Sequence, residues 1–315
     1  MADIRNVAVI GGGLIGASWA ALFVAQGLSV RVHEPDGNTA DQVAARVRAA
    51  WPDLQALGLT DLDVDKALAR LVVTPDMSLA CQDIDFVQEC GPDRLEVKHA
   101  IIARVESCIA PETVIASSSS ALLPSEIQAR ASHPGRILVG HPFNPPHLIP
   151  LVELVAGQAT TPQAVEAARA FYENLGREVI VPQRELRGHV ANRLTAALYR
   201  EAVHLVAEGV ASVADVDRAV SAGPGLRWAL MGPHLTYHLG GGAGGFRHYI
   251  THLGPAQQAR WAELGSPTLD TATIDALIAG VEDELAALDA DTLPERRDAA
   301  LVGLLQLKQR LGFGG

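Results

Sequence analysis

Apolar residues in the first 182 positions fall in short unbroken runs, whereas those after Gly188 are spread in helical rhythm. Val7-Ala8-Val9-Ile10 opens the series, and further runs follow at 29–33, 70–74, 84–90, 113–117, 136–140, 150–155 and 178–182. Runs this short, bounded by turn residues, are what strands buried on both faces look like. Amphipathic stretches at 17–25, 38–58, 94–109 and 162–175 lie between them. The alternation predicts an α/β fold, a doubly wound, Rossmann-type, mainly parallel sheet over residues 1–187. Periodic stretches at 189–210, 213–221, 243–263, 270–287 and 294–311 then predict a smaller all-helical domain over 188–315. A glycine run at 240–245 interrupts it and reads as a loop or helix junction; with no strand before it, it does not read as a phosphate site.

The chain has 315 residues, 48% hydrophobic and 19% charged, enough for two folded domains. A formal charge of −11 excludes nucleic acid and anionic membrane surfaces as expected partners, since both would repel it. No apolar run reaches the ~18 residues of a membrane helix. The first strand begins within a few residues of the start, with no basic segment leading into an apolar one, so no signal peptide is expected. Cys81, Cys90 and Cys108 lack C-x-x-C spacing and are expected to be buried, unreactive thiols of a cytoplasmic protein.

Gly11, Gly13 and Gly16 supply G-x-G-x-x-G between the first strand and the helix that follows it. The first glycine permits a tight turn, the second lets backbone N–H groups approach a pyrophosphate, and the third lets helix pack on strand. The second strand runs into Glu34, where a carboxylate accepts hydrogen bonds from a ribose 2′-hydroxyl and repels a 2′-phosphate. NAD is therefore the expected cofactor, with Arg31 leaving NADP as a narrow alternative.

Ser120 ends a four-serine stretch after the fifth strand, and His141 ends the sixth, so both are expected at the carboxyl edge where open parallel sheets bind ligands. Ser117, Ser118 and Ser119 can also be loop residues bonding their own backbone. An imidazole there can take a hydroxyl proton as a hydride leaves, and Glu153 can fix its tautomer and stabilise the imidazolium. Ser120 and Asn192 can hold the reacting oxygen. The set describes a dehydrogenase.

Ser120, His141, Glu153 and Asn192-Arg193-Leu194 together resemble the catalytic pattern of the L-3-hydroxyacyl-CoA dehydrogenase family, in particular its branch that oxidises carnitine and gulonate (the latter shared with lambda-crystallin). The resemblance covers nearly the whole chain and implies a two-domain NAD enzyme that dimerises through its helical domain. It places Asp93 and Lys98 against the cofactor and Asn144 near the nicotinamide; Leu14, Ile15 and Ser118 complete the expected cofactor contacts. CoA-dependent members carry Asn where this chain has Ser118. They also place lysines for the CoA phosphates in the helix at 38–58, which here offers only Arg46 and Arg48. A small free 3-hydroxy acid is thus the expected substrate.

The stretches 225–233, Thr236-Tyr237 and 139–145 are more similar to the carnitine branch, whereas Pro146 and Leu154 are shared more with the gulonate one. A carnitine site calls for an arginine and aromatic faces. Arg227, Trp228, Phe143 and Tyr237 are the candidates, with Phe246 and Tyr249 beside them, although rings in a chain with 4% aromatics also serve as core and Arg227 can form a structural ion pair. A short-chain hydroxyacyl-CoA dehydrogenase and a structural protein that keeps the fold stand as alternatives. His234 with His238, and His248 with His252, share i, i+4 spacing but lack the H-E-x-x-H glutamate, so no metal is expected.

Overall fold

The computed structural model describes residues 4–36 and 39–313. Eight strands, β1 (Asn6–Ile10), β2 (Ser29–His33), β3 (Leu71–Thr74), β4 (Phe86–Glu89), β5 (Val114–Ser117), β6 (Ile137–Pro142), β7 (Leu151–Ala156) and β8 (Glu178–Ile180), form one sheet in the order β3-β2-β1-β4-β5-β6-β7-β8. Every neighbouring pair is parallel except β6 and β7. The helices among these strands are α1 (Leu14–Ala25), α2 (Ala40–Ala56), α3 (Val64–Leu68), α4 (Met77–Ala80), α5 (Leu95–Glu106), α6 (Pro124–Ile127) and α7 (Pro162–Asn174). Residue 38, where the second helical stretch was expected to begin, lies outside the described residues. The sequence gives no sign of α3, α4 or α6, because four or five residues are too few to display a period of 3.6.

The strands are unbroken apolar runs because both faces are covered. Val7 and Val9 of β1 enter one buried cluster and Ala8 and Ile10 the other; β6 divides in the same way, Leu138 from Ile137 and Val139. On the first face Trp19 and Phe23 of α1 stack at 5.4 Å, and Phe86 meets Phe171 of α7 at 4.2 Å. Each such ring pair adds about 0.5–1.5 kcal/mol beyond the area it buries. This packing holds the carboxyl ends of β1, β4, β5 and β6 in one row.

Contacts divide the chain into two compact units, one of residues up to Asn192 with Leu301–Leu305, the other of Arg193–Ala300 with Gln306 onward. The division falls a few residues past 187. The turn at 188–190 stays with the sheet because the Val190 and Ala191 amides bond to Glu153 of β7. Helices α8 (Ala191–Ala207), α9 (Val213–Ser221), α10 (Pro224–Trp228), α11 (Pro233–Gly240), α12 (Gly245–Glu263), α13 (Thr271–Ala286) and α14 (Leu293–Leu311) follow. Ser212 caps α9 through the amide of Asp215, and Asp270 caps α13 through that of Thr273. The glycine run is the junction of α11 and α12. No described helix is long and apolar enough to cross a membrane.

Candidate active site

The glycine loop joins β1 to α1 in a geometry that explains its composition. Gly11 has φ +108, and a Cβ there would lie 2.8 Å from the carbonyl oxygen of Cys90; a Cβ on Gly16 would lie 1.8 Å from that of Gly11. A Cβ on Gly13, by contrast, would meet nothing within 4 Å, which is the open approach a pyrophosphate needs. Glu34, just past the end of β2, accepts a hydrogen bond from the Gly12 amide at 2.8 Å and so stands beside the loop. Arg31 donates instead to the carbonyls of Leu79 and Gln82, which occupies the cation that left a 2′-phosphate open. The loop fits a dinucleotide with an unphosphorylated ribose.

A cleft of about 440 Å³ in the same unit is lined by Ile15, Cys90, Asp93, Lys98, Ser118, Ser119, Ser120, His141, Phe143, Asn144 and Asn192, among others. His141 and Glu153 are directly paired residues of the antiparallel β6–β7 ladder, and their side chains emerge on the same face of the sheet. His141 Nδ1 donates to Glu153 Oε2 at 2.9 Å. Glu153 is fully buried, and its other oxygen accepts from the amides of Val190 (2.8 Å) and Ala191 (2.9 Å). Burial pushes its carboxyl up, but the bonds from His141 and the two amides outweigh this and hold it below its ordinary value. The result is a carboxylate favoured in its charged form directly behind the His141 imidazole.

Ser120 is exposed, its hydroxyl and amide both directed to Asp93 Oδ2, at 3.3 and 3.2 Å. Ser119 donates to the other Asp93 oxygen. Asn192 opens α8 and lines the cleft with Ser120 and His141. Phe143 meets the His141 ring edge-on at 5.2 Å. The expected residues Ser120, His141, Phe143 and Asn192 therefore share one cleft with the expected cofactor residues Ile15, Asp93, Lys98, Ser118 and Asn144. Leu14 and Gly13 stand at the start of α1. Arg227, Trp228 and Tyr237 belong to the second unit, Arg227 and Trp228 on α10 and Tyr237 on α11, where Tyr237 stacks on Tyr249 at 4.5 Å with Phe246 6.3 Å beyond.

Lys98 is 1% exposed and ion-pairs with Glu89 at 2.7 Å, while Glu89 also accepts from Ser117 Oγ and the Gly91 amide. Glu89 escaped the sequence reading, although a polar pair, Gln88-Glu89, ending a buried central strand was its visible signal. Gln88 donates to Ser118 Oγ at 2.9 Å and accepts from Tyr172, fastening Ser118 from below. Burial pushes the thiols of Cys81 and Cys90 up to about 12, and Cys108 is free and half-buried. Among the described residues no group of three or more His, Cys, Asp or Glu side chains converges to hold a metal.

Residues 6–185 match the family described as 3-hydroxyacyl-CoA dehydrogenase, NAD binding domain, and residues 188–274 match its C-terminal domain. The chain is 44% identical to an L-carnitine dehydrogenase of Streptomyces griseus over 98% of this chain and 91% of that one. It is 42% identical to an L-carnitine dehydrogenase of Pseudomonas aeruginosa over 99% and 97%. Among solved structures, an NAD+-dependent 5-formyl-3-hydroxy-2-methylpyridine 4-carboxylic acid 5-dehydrogenase superposes with a TM-score of 0.83 at 27% identity, covering 98% of this chain and 99% of the other. With the glycine loop, Glu34 and both matched domains in place, the chain belongs to the 3-hydroxyacyl-CoA dehydrogenase family and is an NAD-dependent oxidoreductase.

Proposed function

We propose that this protein oxidises the 3-hydroxyl of a small free L-3-hydroxy acid to the 3-oxo acid, with L-carnitine as the first candidate substrate. The observation that carries this reading is His141, bonded to the buried Glu153 and lining a cleft with Ser120 and Asn192, in the unit that holds the dinucleotide loop. When bound, NAD supplies the hydride acceptor. Gly11, Gly13, Gly16, Leu14 and Ile15 would form its pyrophosphate cradle, Glu34 would take the ribose, and Asp93, Ser118 and Asn144 would complete its contacts together with Lys98, whose ammonium is already paired with Glu89 beside the cleft.

His141 Nε2 accepts the proton of the substrate hydroxyl as the carbonyl forms. Glu153 keeps the ring in the tautomer with hydrogen on Nδ1, and its charge stabilises the imidazolium that results. Ser120 Oγ and the Asn192 amide hold the oxygen as it changes from alcohol to carbonyl. For a carnitine-like acid, Phe143, edge-on to His141, offers a face to the quaternary ammonium; within the helical unit, Arg227 is the candidate for a carboxylate, and Trp228 and Tyr237 are candidate ring faces.

Two observations favour a free acid over a CoA thioester. Arg46 of α2 donates to the Gly12 carbonyl, Arg48 forms a solvent-exposed pair with Asp65 at 2.6 Å, and the helix carries no lysine for CoA phosphates. The identity to carnitine dehydrogenases also extends over almost the whole chain. We further propose a homodimer formed through the helical unit, where Ile274, Ile278, Val281 and Leu285 of α13 are 40%, 51%, 46% and 36% exposed at the spacing of a helix–helix seam. The test of substrate is the initial rate of NADH formation with L-carnitine, L-gulonate and L-3-hydroxybutyryl-CoA at matched concentration. The fastest rate is expected with L-carnitine; a preference for the thioester overturns the free-acid reading.

A further inference from the structure

His189 is 2% exposed and stands in the left-handed region, φ +49, directly after Gly188 at φ +76. Two successive left-handed residues curl the chain so that the next two amides, of Val190 and Ala191, converge on one oxygen of Glu153 at 2.8 and 2.9 Å. Successive amides arranged in this way form a concave nest for an anion. A left-handed non-glycine residue is costly, so something must hold it there. The His189 ring provides the hold, because its Nε2 lies 3.0 Å from the Ser119 carbonyl oxygen, one residue before Ser120. A carbonyl only accepts, so Nε2 carries the hydrogen.

The same ring stacks obliquely beside His141, centroid to centroid 5.2 Å. A charge on it would oppose the imidazolium that proton abstraction creates on His141. Nδ1 of His189 is buried with no partner among the described residues, so a second proton would have no acceptor. Of the surroundings, burial lowers its pKa most; the Ser119 carbonyl raises it, His141 lowers it, and Glu153 and Asp93 raise it, with a net fall.

We infer that His189 is a positioning residue: one neutral imidazole ties the turn that grips Glu153 to the loop that carries Ser120, holding the proton-transfer pair and the oxygen-binding serine in register. The inference rests on reading His141 and Glu153 as the proton-transfer pair. It concerns kcat more than cofactor affinity, since the glycine loop and Glu34 make no contact through His189, and Ser119 and Ser118 keep their own bonds to Asp93 and Gln88.

The test is His189→Asn against His189→Gln in the full-length protein with NAD and L-carnitine. Asn tolerates left-handed backbone but is too short to reach Ser119, whereas the Gln amide nitrogen can stand where Nε2 stands. Misplacement of a reacting group by ~1 Å costs on the order of 100-fold, so His189→Asn is expected to lose about 10- to 100-fold in kcat with the NAD dissociation constant within about twofold. His189→Gln is expected to recover at least about a third of wild-type kcat by keeping the donor. Wild-type kcat in His189→Asn, or equal loss in both variants, overturns the inference. His141→Ala in the same assay separates the two levels. If it is inactive while His189→Asn is unimpaired, only the role of His189 falls; if it is fully active, the proton-transfer pair itself is wrong.

Discussion

In the sheet unit Trp19, Phe23, Phe86 and Tyr172 are wholly shielded from solvent, whereas in the helical unit Leu226, Leu239 and Trp261 are 63%, 64% and 60% exposed. Among the described residues, the buried hydrophobics of the helical unit are Val203, Val213, Val216 and Tyr249. The sheet unit thus closes its own core, and its carboxyl edge is a rigid platform on which His141 and Glu153 are already paired. The helical unit instead turns amphipathic helices outward, and large apolar surfaces left open on one unit mark a place where another surface is received. The contrast separates chemistry from recognition: changes at the sheet edge should act on turnover, and changes in the helices on substrate affinity and assembly.

The largest expected effect breaks or upholds that division at its centre. His141→Ala should lower kcat by roughly 10²–10⁴-fold, the usual worth of general base help, while NAD titration by fluorescence stays near wild type. Loss of NAD binding along with turnover would mean the residue supports the fold instead. Next, Arg227→Ala should raise KM for carboxylate substrates by about 10- to 100-fold, the scale of a charge-assisted hydrogen bond, with kcat at saturation little changed. Unchanged KM for every acid would remove Arg227 from recognition.

A smaller effect sharpens the contrast in assembly. Ile278→Asp should weaken self-association by about tenfold or more, read by sedimentation velocity. Val72→Asp, on the edge strand of the sheet unit and 45% exposed, should leave the mass unchanged. Equal behaviour of the two variants would dissolve the proposed seam. The smallest effect is in stability. The Glu153 pKa is lowered below 4.5 in the folded protein, so its carboxylate contributes stability that is present above pH 4.5 and lost as pH falls through the lowered value. The melting-temperature advantage of wild type over Glu153→Gln should therefore be constant above pH 4.5 and narrow below it. A gap that does not respond to pH in that window would contradict the bonding described for Glu153.

Much of this was legible in the residues because each level repeats the same message. A strand covered on both sides leaves an apolar run such as 7–10, a helix with one free face leaves a period, and a phosphate turn leaves glycines where a Cβ collides. His141 and Glu153 could be nominated because an imidazole near a strand end and a carboxylate within the next strand have an obvious joint use. What stayed hidden depends on contacts between distant segments. Nothing local announces that Lys98 is sealed against Glu89, that Tyr172 and Gln88 steady Ser118, or that His189 reaches Ser119 across 70 residues. The reversal of β7 was equally invisible, since an apolar run reads the same in either direction.

That reversal has a consequence for how the protein can change. His141 and Glu153 meet as cross-strand partners, and shifting β7 by one residue would bring Val152 or Leu154 opposite the imidazole and turn the carboxylate to the other side of the sheet. The union of acid and base is written in the ladder, which the apolar neighbours on both strands enforce, and not in the chain that links them. The connecting segment at 143–150 is fixed separately, His147 bonding to Ser18 of α1 and Arg177 donating to the Pro146 carbonyl, so that side-chain changes at the mouth of the site can explore new substrates while its proton chemistry is inherited intact.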